Sequence, residues 1–223
     1  MTEVKKSLWP DWGTQEDGRQ FAPAAERNKD FVLEALKNNL PKTGTVLEIA
    51  SGTGEQAVYF TSKLAPLKWQ PSDYEDDKLV SIAAWHKFQP TKGVFPPIKI
   101  DTSQDVWACE ETELAEVIKP ISAIVCINMI HIAPWSAGLG LLKGARRILN
   151  KGGIFFLYGP YMRGGKHTAP SNEAFDARLK ERDASWGLRD IDDVVAQAKT
   201  HGLKLKNIMD MPANNFSIIF EKQ

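Results

Sequence analysis

Gly52 and Gly54 stand in the run Gly52-Thr53-Gly54-Glu55-Gln56-Ala57, directly after the apolar stretch Val46 to Ala50. An acid, Asp73, follows about 20 residues later, where a ribose-binding carboxylate belongs. Glycine has no Cβ and tolerates positive φ, so such a turn lets backbone approach a ligand closely. The helix-compatible segment that follows aims its free N–H groups at whatever lies above the strand. A nucleoside-bearing cofactor is the chemistry this spacing suits. The pattern fits dinucleotide binders, and S-adenosylmethionine (SAM) enzymes use the same geometry, so the turn alone leaves both open.

The elements that must position these residues can be read from periodicity. Residues 24–40 show apolar positions at mostly helical spacing, stopped by Pro41. Strands are expected at 45–50, 67–71, 98–100, 121–128 and 154–158, with helices over 55–65, 75–88, 110–118 and 138–149 between them. Helices over 172–182, with Ser171 as its cap, and 190–200 follow, and two last strands lie near 204–210 and 215–221. The run Ile121 to Asn128 is continuously apolar, as a central parallel strand covered on both faces should be. Strand–helix alternation implies a parallel sheet with right-handed crossovers. The last two strands are joined by Met211-Pro212-Ala213-Asn214, too short for a parallel crossover, so they pair antiparallel. The expected fold is therefore α/β: a Rossmann-like sheet of seven strands, mostly parallel, with a C-terminal antiparallel hairpin and helices on both faces.

Composition narrows the classes. A chain of 223 residues with 43% apolar residues suits one α/β domain, here 23–223, preceded by an arm over 1–22. Lys and Arg number 28 and so do Asp and Glu, so no global field favours nucleic acid or an acidic membrane. The basic group Lys143, Arg146, Arg147 and Lys151 reads as the last turn of a helix, where cations suit the dipole. Cys109 and Cys126 are the two cysteines; they give no disulfide framework and no zinc spacing, and no metal is expected. No signal peptide or 18-residue apolar run is visible, so a cytoplasmic location is the expectation.

A parallel sheet closed by an antiparallel hairpin is the arrangement associated with class I methyltransferases. The motifs Leu47-Glu48-Ile49-Ala50-Ser51-Gly52-Thr53-Gly54, Trp69-Gln70-Pro71-Ser72-Asp73 and Asn128-Met129-Ile130-His131-Ile132 carry a more specific likeness. So do Tyr158-Gly159-Pro160-Tyr161, Gly165-Lys166-His167-Thr168 and Met211-Pro212-Ala213-Asn214-Asn215. With the box Phe21 to Asn28, they make the whole chain resemble a family of class I SAM-dependent methyltransferases typified by methyltransferase-like protein 26 and its bacterial relatives. The resemblance brings a fold and a cofactor with it but no acceptor.

Ligands of open parallel sheets bind beyond the carboxyl ends of the strands, and the resemblance assigns expected roles there. Glu48, Ala50, Gly52 and Gly54 would face the amino-acid part of SAM, with Glu48 supporting its ammonium or only bracing the turn. Asp73 would take the ribose hydroxyls, or cap the next helix. Asp101 would take the adenine amino group, or form an ordinary Asx turn. Asn128 and Met129 would contact the cofactor and Arg27 would grip its carboxylate, a geometry for which arginine is suited. His131, Tyr161 and His167 are the candidate catalytic residues, histidine being a base at neutral pH. Tyr158, Lys166 and Asn172 share the polar, glycine-rich loop 159–172, and Trp135 either walls the pocket or packs. The aromatic arm, with Trp9, Trp12 and Phe21, is a lid, a homodimer contact or an anchor for the tail.

These readings make the chain an enzyme that moves a methyl group from SAM, leaving S-adenosylhomocysteine, to a small-molecule acceptor. An NAD-dependent oxidoreductase is the alternative enzyme. Its Tyr-x-x-x-Lys pair is matched by letter at Tyr59–Lys63 and Tyr74–Lys78, both in the first two crossovers, away from the expected place. A SAM-binding module that acts through protein partners is the alternative from another class.

Overall fold

The computed structural model describes residues 14–110 and 112–223. Trp9 and Trp12 of the arm lie outside the described residues. One sheet of seven strands organises the chain, in the order β3-β2-β1-β4-β5-β9-β8. Its strands are β1 (Thr45–Ile49), β2 (Lys68–Asp73), β3 (Ile98–Lys99), β4 (Ile121–Ile127), β5 (Ile154–Gly159), β8 (Leu203–Met211) and β9 (Asn215–Lys222). β1 to β5 pair in parallel, and β9 runs antiparallel between β5 and β8. The chain reverses between β2-β1 and β4-β5, which places the crevice of such a sheet at the carboxyl ends of β1 and β4.

Alternation along the strands sends side chains to two separate cores. Leu47, Ile49, Ile124, Cys126, Phe155 and Leu157 face α5 (Trp135–Ile148) and α7 (Ile191–Thr200). Val46, Ala123, Val125, Phe156 and Tyr158 face α1 (Pro23–Asn39) and α2 (Glu55–Lys63). Burial on both sides explains why these strands read as unbroken apolar runs. The remaining helices are α3 (Asp76–Phe88), α4 (Thr112–Ile118) and α6 (Pro170–Arg182).

Two local features depart from the sequence reading. The 159–172 loop contains a hairpin of β6 (Met162–Arg163) and β7 (Lys166–His167), turned by Gly164 and Gly165, both at positive φ. Two-residue strands are too short to show a period. Helix α6 begins at Pro170, with Ala169 as its cap and Ser171 inside the first turn, so Ser171 is not the capping residue. Proline's fixed φ favours that first helical position.

The described arm lies along α3. The Gln20 amide donates to the Ser81 hydroxyl, which in turn donates to the carbonyl of Thr53 in the glycine turn. Arg19 stacks over Phe88 and Trp85, and Phe21 meets Trp85 edge-on.

Candidate active site at the carboxyl ends of the strands

The turn after β1 needs its glycines for different reasons. Ala50, Gly52 and Gly54 all have positive φ, at 56°, 59° and 88°. A Cβ on Gly54 would lie 2.5 Å from the Ile82 Cα, so this glycine lets α2 close against α3. A Cβ on Gly52 would meet nothing within 4 Å. Gly52 therefore presents bare backbone to the crevice, the surface a flat or charged ligand can approach.

Polar groups bind this turn to the neighbouring strand. Asp73 Oδ2 accepts the Gly52 amide at 2.8 Å, and Oδ1 accepts the Glu75 amide at 3.1 Å. The Ser51 amide donates to the Ser72 carbonyl at 2.8 Å, and the Ser72 hydroxyl donates to the Glu48 carbonyl at 2.6 Å. Burial pushes the Asp73 carboxyl above its ordinary value against these amide donors. Glu48 is buried on the α1–α2 side of β1, where Oε2 accepts from Trp69 Nε1 at 3.0 Å. Its carboxyl is likewise raised by burial, opposed by Ser51 and Trp69.

Asp101 closes an Asx turn: Oδ1 accepts the Ser103 amide at 2.9 Å and the Ser103 hydroxyl at 2.7 Å, and Oδ2 accepts from Gln104. Burial opposes, but these donors hold its carboxyl below the ordinary value. Arg27 is exposed; with Phe21, Pro23, Glu55, Tyr59 and Trp85 it lines a groove of about 600 Å³ between α1, α2 and α3.

The second half of the site follows β4. Asn128 adopts a left-handed φ of 65° and opens a single 3-10 turn, Met129–His131. His131 is fully buried, and burial followed by the Arg189 charge drives its imidazole down to about 3. The ring is neutral, and Nδ1 accepts the Arg189 amide at 3.3 Å, so the proton sits on Nε2. That nitrogen and the Tyr161 hydroxyl have no partner among the described residues, and the two rings meet edge-on at 4.5 Å. Burial pushes the Tyr161 hydroxyl well above its ordinary value.

Arg189 fastens the same turn from outside, donating to the carbonyls of Ile130, Ala133 and Ser185. Trp135 lies beneath its guanidinium. His167, in β7, forms a pair that sequence reading missed: Nε2 meets Asp176 Oδ2 at 3.0 Å. Asp176 is buried in α6 and also accepts the Leu188 amide and the Lys180 ammonium. Burial opposes, yet Lys180, Leu188 and His167 hold the Asp176 carboxyl below its ordinary value. With Nε2–H directed to the carboxylate, Nδ1 of His167 is left as an acceptor. Asn172 donates to Thr168 and to the Asn214 carbonyl, tying the loop to the turn before β9. Lys166 is exposed, and Tyr158 is buried against α1 through Asn28.

So β1 and β2 bring Glu48, Ala50, Gly52, Gly54 and Asp73 together, while the ends of β4 and β5 bring Asn128, Met129, His131 and Tyr161 together. Asp176 and Arg189 had no signal of their own in the sequence beyond the helix-compatible spacing of Asp176 and Lys180.

A family model covering residues 19–222 matches this chain, described as a protein of unknown function, DUF938. The chain belongs to the DUF938 family. Solved methyltransferases share its fold. An O-methyltransferase family protein from Burkholderia thailandensis superposes with a TM-score of 0.71 at 12% identity, over 90% of this chain and 56% of that one. Human N-acetylserotonin methyltransferase in complex with SAM gives 0.69 at 13% identity, over 89% and 52%. PigF with S-adenosylhomocysteine gives 0.63 at 13% identity, over 80% and 50%. The chain thus spans little more than half the length of such neighbours, and the likeness is one of fold. Among the described residues, no helix is long and apolar enough to cross a membrane.

Proposed function

We propose that the protein is a SAM-dependent methyltransferase acting on a small molecule. The observation that carries this reading is the bare Gly52 backbone at the carboxyl end of β1, with its amide fixed by the buried Asp73 carboxylate. The residues fit a cofactor there: Gly52 leaves room, Asp73 keeps lone pairs for ribose hydroxyls, and Ala50 and Asn128 hold left-handed turns on either side. Two structural neighbours carry SAM or its demethylated product. The resemblance to the methyltransferase-like protein 26 family points the same way. Bound here, SAM supplies a methyl group on a sulfonium, ready for in-line attack.

The chain's own residues then divide the work. Asp101 and Asp73 bind the adenosine, and Arg27 and the Glu48-braced turn bind the amino-acid end. Asn128 and Met129 would contact the cofactor. His167 is the base: Nδ1 takes the proton of an acceptor hydroxyl or amine while Asp176 orients the ring. His131 and Tyr161 shape the wall above β5, His131 as a neutral donor.

Calorimetry with SAM, S-adenosylhomocysteine and NAD tests the cofactor. Binding of the first two and not the third is expected; the reverse would make the chain a dehydrogenase. Asp73→Ala should weaken SAM binding by about tenfold to a hundredfold, the worth of lost charge-assisted bonds of about 1.5–3 kcal/mol. Unchanged affinity would remove Asp73 from the site.

A further inference from the structure

The amino-terminal end of the parallel strands, opposite the end that carries the glycine turn, holds a concentration of basic residues. Lys222 ends β9 where that strand meets the amino-terminal edge of β5: its amide donates to the Gly153 carbonyl, and its own carbonyl accepts the Gly152 amide. Helices α5 and α7 both finish there. Between them lies a pocket of about 400 Å³ lined by Lys143, Arg146, Arg147, His201, Lys222 and Gln223. Five of these six side chains are basic, drawn from three separate elements.

Helix dipoles account for part of this arrangement. Arg146 donates to the His201 carbonyl at 3.2 Å, and Lys222 donates to the Leu149 carbonyl. Arg147 turns outward to a bidentate pair with Glu110 at 2.6 and 2.7 Å. Capping leaves most of the remaining donors unused. Among the described residues, Lys143, Arg146, His201 and Lys222 form no ion pair with any carboxylate. Like charges held this close repel, and His201 registers it: burial, then Lys143 and Arg146, lower its imidazole from the ordinary value.

The backbone is shaped around the same group. Gly202 has a φ of +66°, and a Cβ there would lie 2.5 Å from Arg146 Nη1. A side chain there would strain the positive-φ turn and make the tip of Arg146 shift. A planar fork, a flexible ammonium on either side and a titratable imidazole make a donor set suited to a tetrahedral oxyanion.

We propose that this pocket binds a phosphate-bearing small molecule, as a site separate from the carboxyl-end crevice and independent of the reaction assigned there. The net positive charge of the lining supplies the attraction, and a volume of about 400 Å³ admits a phosphate-bearing small molecule.

The test titrates inorganic phosphate and pyrophosphate into the full chain at fixed ionic strength, with chloride as the reference salt. Heat and the NMR signal of the His201 ring are followed. Saturable binding is expected, stronger for pyrophosphate, with the His201 pKa rising on saturation because an anion offsets the repulsion of Lys143 and Arg146. Lys143→Glu removes no hydrogen bond and so should leave folding and SAM affinity unchanged while weakening phosphate binding about tenfold or more. Three results would each overturn the proposal: no saturation, an equal response to chloride, or unchanged phosphate affinity in Lys143→Glu. Binding of an oligonucleotide without binding of free phosphate or pyrophosphate would also overturn it.

Discussion

The two halves of the crevice are built in opposite ways. Around β1 and β2, the polar groups answer one another within a short stretch of sheet: Asp73 holds Gly52, Ser72 holds Glu48, and Trp69 holds the Glu48 carboxylate. Around β4 and β5, the support comes from distant chain. Arg189 and Asp176 reach in from the segment after the hairpin, and His131 Nε2 and the Tyr161 hydroxyl stay without partners among the described residues. A wired turn suits a ligand that is the same in every cycle. A wall assembled from far segments can change its lining without disturbing the turn, which is how a shared cofactor fold comes to serve different acceptors.

Glycine substitutions offer the sharpest way to break that contrast, because they separate structure from binding inside one turn. Gly54→Val places a branched side chain against the Ile82 backbone at positive φ. Strain there costs on the order of 1–3 kcal/mol before the clash is counted. The expected outcome is a protein that loses its cooperative thermal transition. Gly52→Ala meets open space, so it should keep a cooperative transition at slightly lower temperature and lose most of its SAM affinity. If both variants lost only affinity, Gly54 would not be the residue that closes α2 on α3.

On the other half the contrast lies between two histidines. His167→Ala should lower turnover by about a hundredfold or more, the usual share of general-base catalysis, while leaving SAM affinity intact. Single-turnover methyl transfer measures it. His131→Ala removes a fully buried ring and leaves the Arg189 amide without its acceptor. Its expected cost is on the order of 3 kcal/mol in urea unfolding. A full-strength transition with lost turnover would reverse the two roles.

How far the molecule could be read beforehand follows the same division. The mostly parallel sheet, its antiparallel closing pair and the glycine turn were legible because period, length and short connections carry that information locally, whereas the strand order β3-β2-β1-β4-β5-β9-β8 is set by long-range pairing. The place of Asp73 at the end of β2 was legible, whereas its hold on the Gly52 amide was not. The β6–β7 hairpin was not, since two residues show no alternation. His131 offered only an imidazole on an apolar segment, and its neutral state comes first from burial in the fold and then from the charge of Arg189, 58 residues further on. Asp176 sits on a strongly polar helix, where one buried carboxylate looks like any solvated one. The basic residues of α5 were legible as a last-turn cluster, while their meeting with His201 and Lys222 is a product of the fold alone.

Acid should also tell the halves apart, with the smallest effect of the set. Glu55 opens α2 directly after Gly54, and burial, then its hydrogen bond with Glu26, raises its carboxyl from 4.5 to about 7. A raised acid binds its proton more tightly when folded, so its contribution is present below about 4.5 and is lost as pH rises towards 7. Glu48 and Asp73, also raised by burial, share that sign. His131 works in reverse. Lowered from 6.5 to about 3, its contribution is present above 6.5 and is lost as pH falls, and the lowered Asp176 follows it. The two trends oppose each other where their windows overlap, so the wild-type unfolding midpoint should vary little there. Glu55→Gln deletes one member of the first set. Its midpoint, measured in urea at several pH values from 4.5 to 7, should climb more steeply with pH than the wild type. A slope equal to or shallower than that of the wild type would mean that the Glu26–Glu55 pair does not hold its proton in the folded state.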